Sequence, residues 1–168
     1  KSLLIILLGA FVLVDLWPID KKYLNDKNFV EKQAAKVPFP ETTADREILK
    51  DTDPDYRVLN LAVNTFNDAS TSYRHKSVGG YHAVKLRRYQ DLIERHISAE
   101  QQQIIQGLQS QSSLFALQGL FANSPVLNML NTRYIIYSPE APPLKNPYAL
   151  GNAWFVNYIQ WVPDANTE

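Results

Sequence analysis

The sequence predicts an α+β domain: a small, mainly antiparallel sheet packed with helices on one face, preceded by an apolar N-terminal helix. Three observations lead there. Three short β-rich runs, Arg57–Val63, Arg133–Ser138 and Ala153–Val162, are spread along the chain. Residues of helical periodicity fill the long interval between the first two, and the chain opens on an unbroken apolar stretch.

Arg57-Val58-Leu59-Asn60-Leu61-Ala62-Val63 is apolar enough to be a strand buried on both faces. Residues 64–82 then carry Asn, Ser, Thr and Gly at a density that means turn chemistry, over a length unusual for a connection in a compact domain. From Ala83 to Ile97, the spacing of Leu86, Tyr89, Ile93 and Ile97 marks an amphipathic helix, and His96 lies where a cation suits its C-terminus. Ser98 and Gln101 form a capping-box pattern opening a second helix through Ile104, Ile105 and Leu108. A Gln/Ser-rich break at Gln109–Ser113 separates that helix from Leu114–Phe121. Ser124-Pro125 reads as an N-cap followed by proline at the first helical position, so Val126–Leu130 is a short helix. The second strand, a proline-rich turn over 139–147 and the third strand complete the chain, the two strands pairing as an antiparallel hairpin. Trp154 and Tyr158 then share one face of the third strand and Trp161 takes the other.

Upstream, Pro18, Pro38 and Pro40 mark a connector with a short helix near Val30–Ala35. Thr42 or Thr43 caps a helix over Ala44–Lys50. The resulting division is 1–17 as the end of a transmembrane helix, 18–42 as connector and 43–168 as an extracytoplasmic α+β domain.

The opening stretch, KSLLIILLGAFVLVDLW, is apolar from Leu3 to Val14 and has no amphipathic period. A buried core helix, a central strand, a signal-peptide core and the end of a transmembrane helix are all compatible with such a run. The signal-peptide reading lacks a small-x-small cleavage site, since the run ends in Asp15-Leu16-Trp17-Pro18. Trp17, Lys21, Lys22 and Tyr23 follow it as interfacial anchors would, which favours the transmembrane reading. Because the chain begins inside the run, it is expected to be the tail of a larger membrane protein, with the rest of that protein as its partner.

Composition narrows the function classes. Lys plus Arg and Asp plus Glu each total 17, so the net charge is zero and no overall field favours nucleic acid. The absence of cysteine removes disulfides, thiolate chemistry and cysteine-ligated zinc.

One candidate binding loop stands out. Tyr73, Arg74, His75, Lys76, Gly79, Gly80, Tyr81 and His82 gather cations and a glycine pair just before the expected Ala83 helix. Glycines let a ligand approach backbone, and a helix N-terminus presents unpaired N–H groups, so an anion or a glycan could sit there. The bland alternative is a turn with solvated cations. His75, His82 and Asp68 do not have the spacing of a metal site, and Ser72, His75 and Asp68 lack the context of a hydrolytic triad. No catalytic residue, metal or cofactor is assigned.

The segments DPDYRVLNL (53–61), SYRHKSVGGYHAVKLRRYQDLI (72–93), VLNMLNTRYII (126–136) and NPYALGNAWFV (146–156) resemble the C-terminal extracytoplasmic part of bacterial YfhO-type membrane proteins. The resemblance covers most of the chain from Trp17 onward. It implies a large polytopic protein of the inner membrane, similar to glycosyltransferases that use polyprenyl-phosphate sugars and decorate the cell envelope. It also implies that the catalytic carboxylate lies on an early loop outside this chain, so this part is noncatalytic and contributes to substrate access or glycan modification. The alternative is a glycan or lipid-phosphate binding module built on the 73–82 loop.

Overall fold

The computed structural model describes residues 2–110, 119–164 and 167. Residues 1–40 and 41–168 form two units. Of the expected break at Gln109–Ser113, Gln109 and Ser110 are helical, and residues 111–118, which include most of Leu114–Phe121, lie outside the described residues.

The first unit is dominated by α1 (Ser2–Tyr23), whose 22 residues include none that is buried. At 1.5 Å per residue it is about 33 Å long, which matches the roughly 30 Å hydrocarbon core of a bilayer. The helix is therefore long and apolar enough to cross a membrane. It continues past the expected end at Trp17, carrying Pro18 in its interior, because one missing N–H does not outweigh the intrahelical bonds on either side. Its last turn holds Lys21 over the Trp17 ring at 5.4 Å and Lys22 over the Tyr23 ring at 5.8 Å. A 3₁₀ turn (Asp26–Asn28) and α2 (Lys32–Lys36) follow.

The second unit is α+β, as its sequence predicts. It begins with α3 (Thr43–Ile48), capped as expected. Thr42 Oγ1 accepts from the Asp45 N–H at 3.1 Å, and Asp45 accepts from the Thr42 N–H at 3.0 Å. The strands are β1 (Arg57–Asn60), β2 (Thr132–Ile136) and β3 (Leu144–Lys145), in the spatial order β1-β2-β3.

The sheet is mixed rather than mainly antiparallel, because β1 pairs with β2 in parallel and only β2 with β3 is antiparallel. A parallel pair requires a long crossover, and the helical residues between Asn60 and Thr132 supply it. The expected strand over Ala153–Val162 does not form. Those residues are irregular, with Phe155 and Trp161 fully or almost fully exposed, and β2 takes Leu144–Lys145 as its neighbour instead. β-rich composition describes a surface that fits a sheet, and this segment meets no strand among the described residues to pair with.

Helices cover both faces of the sheet, not one. Val58, Tyr134 and Ile136 face Ala44 and Ile48 of α3, whereas Leu59 and Ile135 face Ile93, Ile97, Ile104, Phe121 and Leu127. The alternation is the period of two that a strand imposes.

The helices on the larger face also differ from expectation. Helical structure starts at Arg87 rather than Ala83, and α4 (Arg87–Leu92) runs through a π turn (Ile93–Ile97) directly into α5 (Ser98–Ser110). Ser98 therefore caps nothing, and exposed His96 sits mid-helix, away from any C-terminus. The apolar positions 89, 93 and 97 recur every four residues, a spacing that drifts around a 3.6-residue helix; the wider π turn returns them to the core side.

α6 (Pro125–Met129) starts at its expected proline, but Ser124 does not cap it. Ser124 Oγ donates to the Leu120 carbonyl at 2.9 Å. The cap comes from Glu100 of α5, whose two carboxylate oxygens accept from the N–H groups of Val126 and Leu127, each at 2.9 Å.

Candidate functional site

The expected loop, Tyr73 to His82, is divided by the fold between two concavities of the second unit. Arg74, His75 and Lys76 line one of about 240 Å³ together with Asp51, Asp53 and Tyr56. Gly79, Gly80 and His82 line another of about 260 Å³, with Phe66, Lys85 and Tyr89. Tyr73 and Tyr81 are exposed, and the Arg74 guanidinium lies 5.4 Å from the Tyr73 ring centre.

The separation follows from where the backbone bonds go. A 3₁₀ turn (Ser70–Tyr73) delivers His75 inward, and Lys76 O and Val78 N then bond to Val58 N and O at 2.8 and 3.0 Å. Residues 76–78 thus run along the free edge of β1, bridging Val58 to Ser77. Residues before the bridge fall on one side of it and the glycines on the other.

In the first concavity the cations already face carboxylates. Buried His75 places Nε2 2.8 Å from Asp45 Oδ1, Lys76 reaches Asp55 at 3.3 Å, and Arg74 lies 3.9 Å from Glu41. Behind them sits a knot whose partners are far apart in the chain. Arg133 reaches Asp51 at 3.1 Å and Asp53 at 2.6 Å, Tyr134 donates to Asp51 at 2.7 Å, and the Arg133 guanidinium lies 5.4 Å from the Tyr56 ring centre. Tyr56 and Tyr134 meet edge to face at 5.1 Å. Arg133 is delivered by a bulge, since Arg57 pairs with Thr132 and Val58 with Tyr134, leaving Arg133 as the extra residue.

The ionisation equilibria report the same partnerships. The Tyr134 hydroxyl, the Asp53 N–H and Arg133 hold the Asp51 carboxyl down at about 2. The Asp55 N–H and Arg133 lower Asp53. At Asp45 burial opposes ionisation, but the Thr42 N–H and hydroxyl together with His75 overcome it and the value is lowered. Burial and the Asp51 carboxylate push Tyr134 up to about 12. A second anion entering this concavity would meet Asp51 and Asp53 as well as the cations, so the arrangement is self-neutralised rather than anion-seeking.

In the second concavity the glycines close the structure instead of presenting backbone. The Gly79 N–H donates to Ser77 Oγ at 3.1 Å and the Gly80 N–H to the Thr65 carbonyl at 2.7 Å. A Cβ at Gly79 would lie 1.8 Å from that same carbonyl oxygen, and Gly80 turns the chain at a φ of 123°. Glycine is needed here for close packing and a turn. The helix that was to offer its N-terminus begins only at Arg87, so the anion seat expected from glycines next to a helix start is not assembled.

His82 Nδ1 accepts from the Val84 N–H at 3.1 Å, and the Lys85 ammonium rests 5.6 Å from the Phe66 ring centre. Asp68 accepts from the Ser70 N–H at 2.8 Å, away from both histidines' partners. No group of three or more His, Asp or Glu side chains suited to a metal ion occurs among the described residues. No family model, curated protein or solved structure matches the chain.

Proposed function

We propose that this chain is a noncatalytic domain of a bacterial inner-membrane protein resembling the YfhO type, held on the extracytoplasmic side. There it packs against the remainder of that protein and shapes the access of a lipid-linked sugar or cell-envelope glycan to it. The observation that carries the reading is α1: 22 residues, none buried, apolar without interruption from Leu3 to Val14, and ending in Trp17, Lys21, Lys22 and Tyr23. A helix exposed to water over that length would leave its apolar side chains unburied, and a bilayer is the solvent that removes this cost.

A supporting role rather than a chemical one is favoured by how the second unit uses its inward charges. Glu100 holds a helix start, Asp45 and His75 tie α3 to the 70–78 segment, and Asp51, Asp53 and Arg133 tie the segment before β1 to β2. Each is committed to a fold partner.

The absence of cysteine makes the reading directly testable, because a single Glu140→Cys substitution gives one exposed thiol on the second unit. The chain is expected to stay with membranes through alkaline carbonate washing. Its thiol should react with a membrane-impermeant maleimide in cells whose outer membrane alone is opened. Release by carbonate would remove the spanning helix, and labelling only after the inner membrane is lysed would remove the sidedness.

A further inference from the structure

From Ala69 to Gln90, twenty-two residues contain five Lys and Arg and no Asp or Glu, in a chain whose net charge is zero. Three of those cations fall in the segment 81–88, Tyr-His-Ala-Val-Lys-Leu-Arg-Arg, whose last two residues open α4. This segment carries large apolar side chains in the open: Tyr81 is 65%, Val84 78% and Leu86 77% exposed. Apolar and cationic side chains thus alternate along one exposed segment, whose Val84, Lys85 and Leu86 also line the second concavity.

The base of the loop is held firmly. The Gly80 N–H is fastened to the Thr65 carbonyl, and the Tyr89 hydroxyl donates to the Val78 carbonyl. The exposed side chains therefore lie between two fixed ends. Arg87 meets Asp91 at 2.9 Å while its side chain remains 80% exposed, and Arg88 has no ion-pair partner among the described residues.

We propose that the segment 81–88, the loop before α4 with the first two residues of that helix, is a second membrane contact, in which Tyr81, Val84 and Leu86 enter the headgroup region of an anionic bilayer while Lys85, Arg87 and Arg88 meet the lipid phosphates. A bilayer edge offers apolar depth bordered by negative charge, the arrangement that alternating exposed apolar and basic side chains complement. A protein partner fits less well, since eight residues with separated apolar tips fall well short of the roughly 800 Å² per side that a stable interface uses. The inference rests on the proposed membrane attachment for bringing the domain to a bilayer, but it concerns a different unit of the chain.

The test uses the full chain carrying Val84→Cys, or Glu140→Cys as control, labelled with a fluorophore and mixed with vesicles containing spin-labelled lipid as quencher. Phosphatidylcholine vesicles with and without phosphatidylglycerol are compared. The label at position 84 is expected to be quenched with phosphatidylglycerol present and the label at 140 not. Neutralising Lys85→Gln, Arg87→Gln and Arg88→Gln together should lower the docked-to-free ratio roughly a hundredfold, at about fivefold per cation, as molar salt should also do.

Quenching at 84 no greater than at 140 overturns the proposal. So does a label at 84 that becomes shielded without lipid quenching, which would mean a protein cover. A chain that floats with both vesicle types yet shows no quenching at 84 loses only this inference. One that floats only with anionic vesicles and is quenched at 84 loses only the spanning helix. One that floats with neither loses both.

Discussion

Glu100 is the buried carboxylate that an acid–base reading of this domain would single out, and its surroundings predict a purely structural consequence for its loss. Pro125 opens α6 without an N–H, and the next two donors, Val126 and Leu127, each point at a different oxygen of Glu100 at 2.9 Å. These are the unpaired donors of a helix start, and they are received by a side chain 26 residues earlier. A hydrogen bond to a charged group contributes about 1.5–3 kcal/mol. Glu100→Gln keeps one acceptor oxygen and turns an amide N–H toward the second donor. One charge-assisted bond is then lost and the other becomes neutral, for a cost of about 2–4 kcal/mol. That is a large part of the 5–15 kcal/mol by which a domain is ordinarily stable, and corresponds to a fall in Tm of roughly 10 °C. Urea unfolding of the full chain in micelles, followed by far-ultraviolet circular dichroism, measures the loss, and amide exchange at Val126 and Leu127 should accelerate ahead of β2. A Glu100→Gln variant within about 0.5 kcal/mol of the native chain would refute the capping role.

Two further predictions concern the candidate site. Gly79→Ala forces a methyl to within 1.8 Å of the Thr65 carbonyl oxygen, a backbone atom, and should cost about 2–4 kcal/mol in thermal melts through overpacking and the strained Gly80 bond. Gly107→Ala meets only the end of the Leu120 side chain, at 2.0 Å, which can rotate away; equal losses in the two variants would contradict this account. With pH, Asp45, Asp51 and Asp53 have lowered values in the folded chain, so the unfolded chain takes up protons first as pH falls. Stability from these groups is complete above about pH 4, and is lost progressively down to about 2, where Asp51 titrates. Tyr134 is shifted the other way, so its contribution is complete below about pH 10 and disappears as pH rises to about 12. Asp51→Asn should flatten the acid limb and bring the Tyr134 phenolate absorbance to lower pH; an unchanged acid profile would count against the knot.

The elements that were legible in advance are those whose cause is local. The cap at Thr42 lies three residues from its partner Asp45, α6 starts at a proline, and the apolar opening run is a helix by its own composition. Of the apolar stripe 86, 89, 93 and 97, the last three face the core through a π turn that depends on what they pack against, whereas Leu86 precedes the helix and is exposed. The segment 153–162 forms no strand, because β-rich composition says nothing about whether a partner strand is near. The Glu100 cap and the Arg133 pairs with Asp51 and Asp53 carry no signal in the sequence, since their partners lie 26, 82 and 80 positions apart.

By itself, then, the sequence determined that this chain carries an apolar helix and an α+β body, because burial of apolar side chains with period two or 3.6 is written residue by residue. Only the tertiary structure decided that the cations and glycines of 73–82 do not form one site. Pairing residues 76–78 with the edge of β1 turns Arg74, His75 and Lys76 toward carboxylates and leaves the glycines to close a turn on Thr65. The physical reason is that a charge or an N–H takes its role from whichever group lies within about 3 Å of it, and in a folded chain that neighbour is fixed by contacts distant in sequence.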